Sequence, residues 1–213
     1  MISSLVYISL GFQGIVNDDR DIIQTCMLSF YQKHHYQMRE WDAVTKVILR
    51  SKYLEPTGQG LHAALAEAID SSRKEYEYCV QALKKKKQVD DPKEFALNIP
   101  KMKANLEALR GMKTRTAKGG DFLPPSQVEL KEMLWDKRIL VNDAIAKDRL
   151  RNDGYIKGGV YASTTRPSYS PDGKQAYVMF NIPWSIHSGD VYFFLERAGQ
   201  KWVLLGAFSK IYV

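Results

Sequence analysis

Residues 171–184, PDGKQAYVMFNIPW, and 191–208, VYFFLERAGQKWVLLGAF, decide how this chain folds. In the first stretch Ala176, Val178, Phe180 and Ile182 alternate with Tyr177, Met179 and Asn181, giving a strand with one apolar and one mixed face. Pro171-Asp172-Gly173-Lys174 is the turn that leads into it, because proline presets φ and glycine supplies a positive one. In the second stretch Val191 to Glu196 and Trp202 to Phe208 are two further strands. Ala198-Gly199-Gln200-Lys201 joins them, and so short a loop demands antiparallel neighbours. Gly159 to Thr165 alternates more loosely, and Lys210 to Val213 is a last strand or its tip. Everything after Gly154 therefore reads as a meander of four or five strands.

Upstream the period changes. Ile22, Ile23, Cys26, Met27, Phe30 and Tyr31 recur in pairs four apart behind a plausible N-cap at Asn17 or Asp18, the stripe of an amphipathic helix. Trp41 to Leu49 fits either period, and its β-branched run Val-Thr-Lys-Val-Ile favours a strand. After Pro56, Gly58 and Gly60, the positions Leu61, Leu65, Ala68, Ile69, Tyr76, Cys79, Val80 and Leu83 run at helical spacing. Asp91-Pro92 and Pro100 cut the basic segment into short pieces, with Met102, Leu106 and Leu109 forming one modest helix and Thr114 to Gly120 a mobile connection. Ser126-x-x-Glu129 is a capping box, so a helix is expected from Leu130 toward Leu150, although Ile139-Leu140-Val141 also fits a strand. The expected architecture is α+β, with N-terminal and central helices packed on a C-terminal antiparallel sheet. Its parts are a leader at 1–16, a helical segment at 17–83, a basic insert or linker at 84–125, and a helix plus meander at 126–213 that forms one domain with 17–83.

Composition limits function. The 213 residues suffice to bury roughly two thirds of the unfolded surface, and 45% hydrophobic with 26% charged residues is ordinary globular usage, which excludes collagen, low-complexity disorder and a disulfide-dense miniprotein. No stretch reaches the roughly 20 apolar residues a spanning helix needs. The net charge of +7 is concentrated: from Lys84 to Lys118 there are eleven Lys/Arg against four acids, and the remainder cancels. Lys84, Lys85, Lys86 and Lys87, with Lys101 and Lys103, form a patch that could hold phosphates or anionic headgroups. Lysines closing a helix also complement its dipole and stay solvated, which is the commoner reason for such a run. The first fourteen residues, MISSLVYISLGFQG, resemble a signal peptide lacking its basic start, which favours a secreted or periplasmic location over the cytoplasm. Cys26 and Cys79 lack metal-ligand spacing, and whether they pair stays open.

The run Ser-x-x-Arg-Pro-x-Tyr-Ser-Pro-Asp-Gly-Lys-x-Ala-x-Val (Ser163 to Val178), then Gly189, Tyr-Phe-Phe-Leu-Glu-Arg (Tyr192 to Arg197) and Gly-x-Lys-Trp-Val (Gly199 to Val203), resembles the closing sheet of small, often exported proteins of the cystatin-like or nuclear-transport-factor-two-like fold. The resemblance spans Tyr155 to Val213 and implies helices on one face of a curved sheet, in a family that hosts both enzymes and binding modules. The chain departs from it at Pro183 to Gly189, where such proteins often carry a glycine-rich loop.

Chemistry is sparse. The expected loop from Pro183 to Asp190 gathers Trp184, Ser185, His187, Ser188 and Asp190, yet residues two or three apart on one loop seldom give both the Ser–His and the His–acid contact. His34, His35 and His62 fit structural roles better than a metal site. Trp41, Trp135, Tyr161, Tyr177, Phe194 and Trp202 are either core or the wall of a pocket between helices and sheet. No catalytic residue, metal or cofactor is assigned. The leading expectation is a non-enzymatic, exported binding module that takes a small hydrophobic ligand or a protein partner through Trp184, His187, Tyr192 and Trp202. A basic-patch protein for nucleic acid or anionic lipid comes second, and a small-molecule hydrolase or isomerase in the sheet's concavity third.

Overall fold

A computed structural model describes residues 18–29, 46–54, 60–84, 92–120, 129–143, 159–184 and 187–212. The leader, Trp41, His34, His35, Lys85 to Lys87, Ser126 and the expected helical residues 144–150 lie outside the described residues. The strands are β1 (Lys46–Leu49), β2 (Ile139–Val141), β3 (Gly159–Thr164), β4 (Ser168–Tyr169), β5 (Gln175–Trp184), β6 (His187–Ala198) and β7 (Lys201–Tyr212). The helices are α1 (residues 18–29), α2 (Leu61–Lys84) and α3 (Pro92–Arg115). The α+β class and the packing of helices on a C-terminal sheet stand as expected.

The sheet is larger than four or five strands and is mixed. Its order is β2-β1-β3-β5-β6-β7, with β4 paired to β5. β1 runs parallel to both β2 and β3, and the rest of the sheet is antiparallel. The meander is as its alternation implies. Pro171 and Asp172 sit at the centre of a turn closed by Gly173 N–H donating to Ser170 C=O at 2.8 Å, with Gly173 at φ 66°. Gly199, at φ 64°, opens the two-residue connection between Ala198 and Lys201, where the positive φ suits a mirror-image hairpin turn.

Both faces of the sheet are buried, whereas the sequence suggested an apolar face and a mixed one. Val178, Phe180, Val191, Phe193 and Leu195 face α1, where Ile22, Ile23, Cys26 and Met27 cover them together with Leu130 and Met133. Tyr177, Met179, Tyr192 and Phe194 point the other way, under Leu61, Leu65 and Ala68 of α2 and Leu109 and Met112 of α3. Tyr177 and Met179 are therefore as buried as their apolar neighbours, at 6% and 5% exposure.

Two local expectations fail for identifiable reasons. Pro100 lies inside α3 and does not end it. The buried residues Met102, Leu106, Leu109 and Met112 anchor that helix, and their burial outweighs one missing N–H. Beyond Glu129 there is a single 3₁₀ turn, Leu130–Glu132, and no long helix among the described residues. The Leu130 carbonyl, which a continuing helix would use, accepts from the Trp135 indole N–H at 2.8 Å, and Asp136 N–H donates to Gln24 Oε1 at 2.9 Å. The Glu129 carboxylate pairs with Lys131 and caps nothing. Cys26 and Cys79 are buried thiols in helices on opposite faces, so they do not pair.

At Gly206 the close approach of α3 requires the missing side chain. A Cβ there would meet Asn105 Oδ1 at 2.7 Å and Leu109 Cδ2 at 2.9 Å. Next to it Asn105 imitates a neighbouring peptide: its Nδ2 donates to Ala207 C=O at 2.9 Å and its Oδ1 accepts from Ala207 N–H at 3.0 Å. Those two bonds tie α3 to the strand that ends the sheet.

Candidate functional site

β1 lies between its two parallel partners, and the chain visits β2 on one side of it before crossing to β3 on the other. In open sheets with parallel strands such a reversal leaves a crevice at the carboxyl ends of the strands. Here those ends deliver Arg50, Ser51 and Tyr53 after β1, Asn142 and Asp143 after β2, and Thr165 and Arg166 after β3. Leu54 N–H donates to Thr164 C=O at 2.8 Å, carrying the β1 side of the sheet past Tyr53. Ser51 N–H donates to Asp143 Oδ1 at 3.0 Å and its hydroxyl to the other carboxylate oxygen, closing the β1–β2 end.

Over the β1–β3 end sits a buried polar cluster. Asp19, on the first described turn of α1, is 1% exposed and accepts from the Tyr169 hydroxyl at 2.5 Å. Burial pushes the Asp19 carboxyl up to about 6; the Tyr169 bond and the charge of Arg166 oppose that rise, and the neighbouring Asp18 adds to it. Tyr169 is itself pushed far above the usual phenol range, by burial first and then by the Asp19 charge. Arg166 lies 5.7 Å from the centre of the Tyr53 ring. The Tyr53 hydroxyl is buried without a hydrogen-bond partner among the described residues, and burial with the Asp19 charge also raises its pKa. Beside this group Asp18 accepts from Trp202 Nε1 at 3.2 Å and from Arg197, whose guanidinium stands 5.0 Å from the Trp202 ring centre. Tyr169 meets Trp202 edge-on with centroids 5.8 Å apart.

The binding residues expected from the sequence do not come together. Trp184 and His187 are partners at the tip of the β5–β6 hairpin, and their side chains lie outside the described residues. Trp202 pairs with Arg197, ten residues along β6 from His187, or about 33 Å away. Tyr192 lies between, on the α2–α3 face, stacked on Phe208 at 6.0 Å, while Trp202 belongs to the α1 face. One pocket cannot be lined by both. Of the expected 183–190 loop, Pro183 and Trp184 belong to β5 and His187 to Asp190 belong to β6, where Asp190 accepts from Asn181 Nδ2 at 2.8 Å. Tyr177 and Phe194 stack at 6.2 Å in the α2–α3 core. His62 meets the Ala117 carbonyl at 3.0 Å, a structural role. Lys84, Lys101 and Lys103 are exposed on α2 and α3.

The sequence did carry one overlooked sign of the cluster. Asp19 precedes Ile22 and Ile23 by one helical turn, on the stripe that faces the sheet, and an acid on a buried stripe demands a partner. Tyr53, Arg166 and Tyr169 gave no such sign, because only the three-dimensional path brings them to it. Among the described residues no group of His, Cys, Asp and Glu could hold a metal ion, and no helix is long and apolar enough to cross a membrane. No family model, curated protein or solved structure matches the chain.

Proposed function

We propose that the protein is a non-enzymatic binding module, and that its ligand, a small molecule bearing a carboxylate or carbonyl oxygen, is held at the carboxyl ends of β1 and β3. The observation that carries this reading is the buried Tyr53 hydroxyl, which has no partner among the described residues although Arg166 lies over its ring. Leaving such a group unsatisfied costs on the order of 1–3 kcal/mol. An oxygen acceptor placed beside it would take a hydrogen bond from the Tyr53 hydroxyl and face the Arg166 charge. Asp19 and Tyr169, the groups best suited to move protons, are bonded to each other, which favours binding over catalysis.

The test compares the wild type with Tyr53→Phe against acetate, propionate and benzoate at neutral pH, by thermal shift and calorimetry. A ligand should raise the melting temperature of the wild type. The variant keeps the ring and its contact with Arg166, so it should be as stable as the wild type or more so without ligand. It should bind about ten-fold more weakly, as expected for a lost hydrogen bond to a charged group. No shift in the wild type with any of the three, or equal affinity in the variant, overturns the proposal.

A further inference from the structure

α2 and α3 form an antiparallel hairpin. The first half of α2 and the second half of α3 share one cluster over the sheet, and His62 at the start of α2 meets Ala117 just past the end of α3. From Ala68, the last α2 residue buried in that cluster, to Lys84 the helix continues for sixteen residues, about 24 Å. Small buried residues such as Ser72, Cys79 and Ala82 line that far part of α2. Its outer surface is unlike the rest of the hairpin. Tyr78 is 65% exposed and Leu97 71% exposed, and they stand at matching heights, six residues before the end of α2 and five after the start of α3. Nearer the sheet several of the charges are paired, Arg73 with Asp70 and Glu77, Lys74 with Asp70, and Arg115 with Glu196, while Arg110 and Lys113 are exposed. Lys84 and Lys101 are exposed and make no ion pair among the described residues, while Lys103 stands 3.8 Å from Glu107. From 84 to 103 the sequence carries seven lysines against three acids.

We infer that the far end of this hairpin is a docking surface for an anionic lipid layer. Lysines on flexible stems suit headgroup phosphates, and each one near such a surface strengthens binding about five-fold. Leu97 and the amphipathic Tyr78 suit the boundary between headgroups and acyl chains, whereas an exposed leucine gains nothing on a nucleic-acid backbone. The contact is peripheral, reversible and sensitive to salt, and it is separate from the ligand site proposed on the other face of the sheet.

The full chain is sedimented with phosphatidylcholine vesicles with and without about one third phosphatidylserine, at about 0.1 M salt. Binding is expected to the anionic vesicles alone. Lys84→Gln with Lys101→Gln should weaken it about 25-fold, and Tyr78→Ser with Leu97→Ser should weaken it as well. Both pairs are exposed, so circular dichroism and melting temperature should stay at wild-type values. Absence of vesicle binding, equal binding to neutral vesicles, or undiminished binding in either variant overturns the inference. So does tight retention on single- or double-stranded nucleic acid that the lysine changes abolish and the Tyr78 and Leu97 changes leave intact.

Discussion

Asp19 is a carboxylic acid seated where water is excluded, with the Tyr169 hydroxyl as its hydrogen-bond donor. Its carboxyl titrates at about 6 in the folded chain against 3.8 when unfolded. Between those values the native state holds a proton that the unfolded chain has lost, so this group adds stability as pH falls through about 6 and takes it away as pH rises. The swing amounts to about 3 kcal/mol at most. Asp136, held down to about 2 chiefly by its hydrogen bond from Arg138, works in the opposite sense: its contribution is present above 3.8 and fades as pH falls toward 2. Asp19→Asn separates the two. The amide oxygen still accepts from Tyr169, so the variant should be more stable than the wild type at pH 7 by up to about 3 kcal/mol and equal to it near pH 4. Denaturant titrations across that range check this, and a difference that does not vary with pH would refute the buried-acid account.

At the scale of elements, α3 shows how packing overrides a local signal. Pro100 is exposed within the helix, removing a backbone donor and crowding the preceding turn. Pro100→Ala should stabilise the protein by about 2 kcal/mol, the helix-propensity gain less the extra freedom of the unfolded chain. The readout is a higher urea midpoint at unchanged slope. β5, β6 and β7 were legible because alternation and turn chemistry agree along them, and β1 was legible from its β-branched run. α3 was not, since Pro92 looked like a breaker although it occupies the first helical position, where proline is well tolerated. The capping box misled for a different reason. Gln24 and Trp135 claim the backbone groups that a helix after Glu129 would need, and no local pattern announces a side chain arriving from α1.

For the whole molecule the decisive fact is that the sheet is covered twice. Ile22 belongs to one cluster and Leu109 to the other, with the sheet between them. Each change to alanine should cost about 2–5 kcal/mol. The double variant should lose the sum to within about 0.5 kcal/mol, because sites that share no partner do not couple. A shortfall well beyond that in denaturant unfolding would show that the two layers communicate through the strands. This second layer was hidden in the sequence because Tyr177, Met179 and Tyr192 read as a mixed surface, and their burial emerges only once α2 and α3 lie over them. The site was hidden likewise, its members coming from α1, the β1 end, the β3–β4 connection and β4. Two buried thiols lie in different helices, Cys26 in α1 over one face of the sheet and Cys79 in the part of α2 beyond the sheet. An alkylating reagent meets the first only when α1 lifts and the second only when the far part of α2 parts from its neighbours, so two modification rates measured on the unaltered protein time those two openings separately.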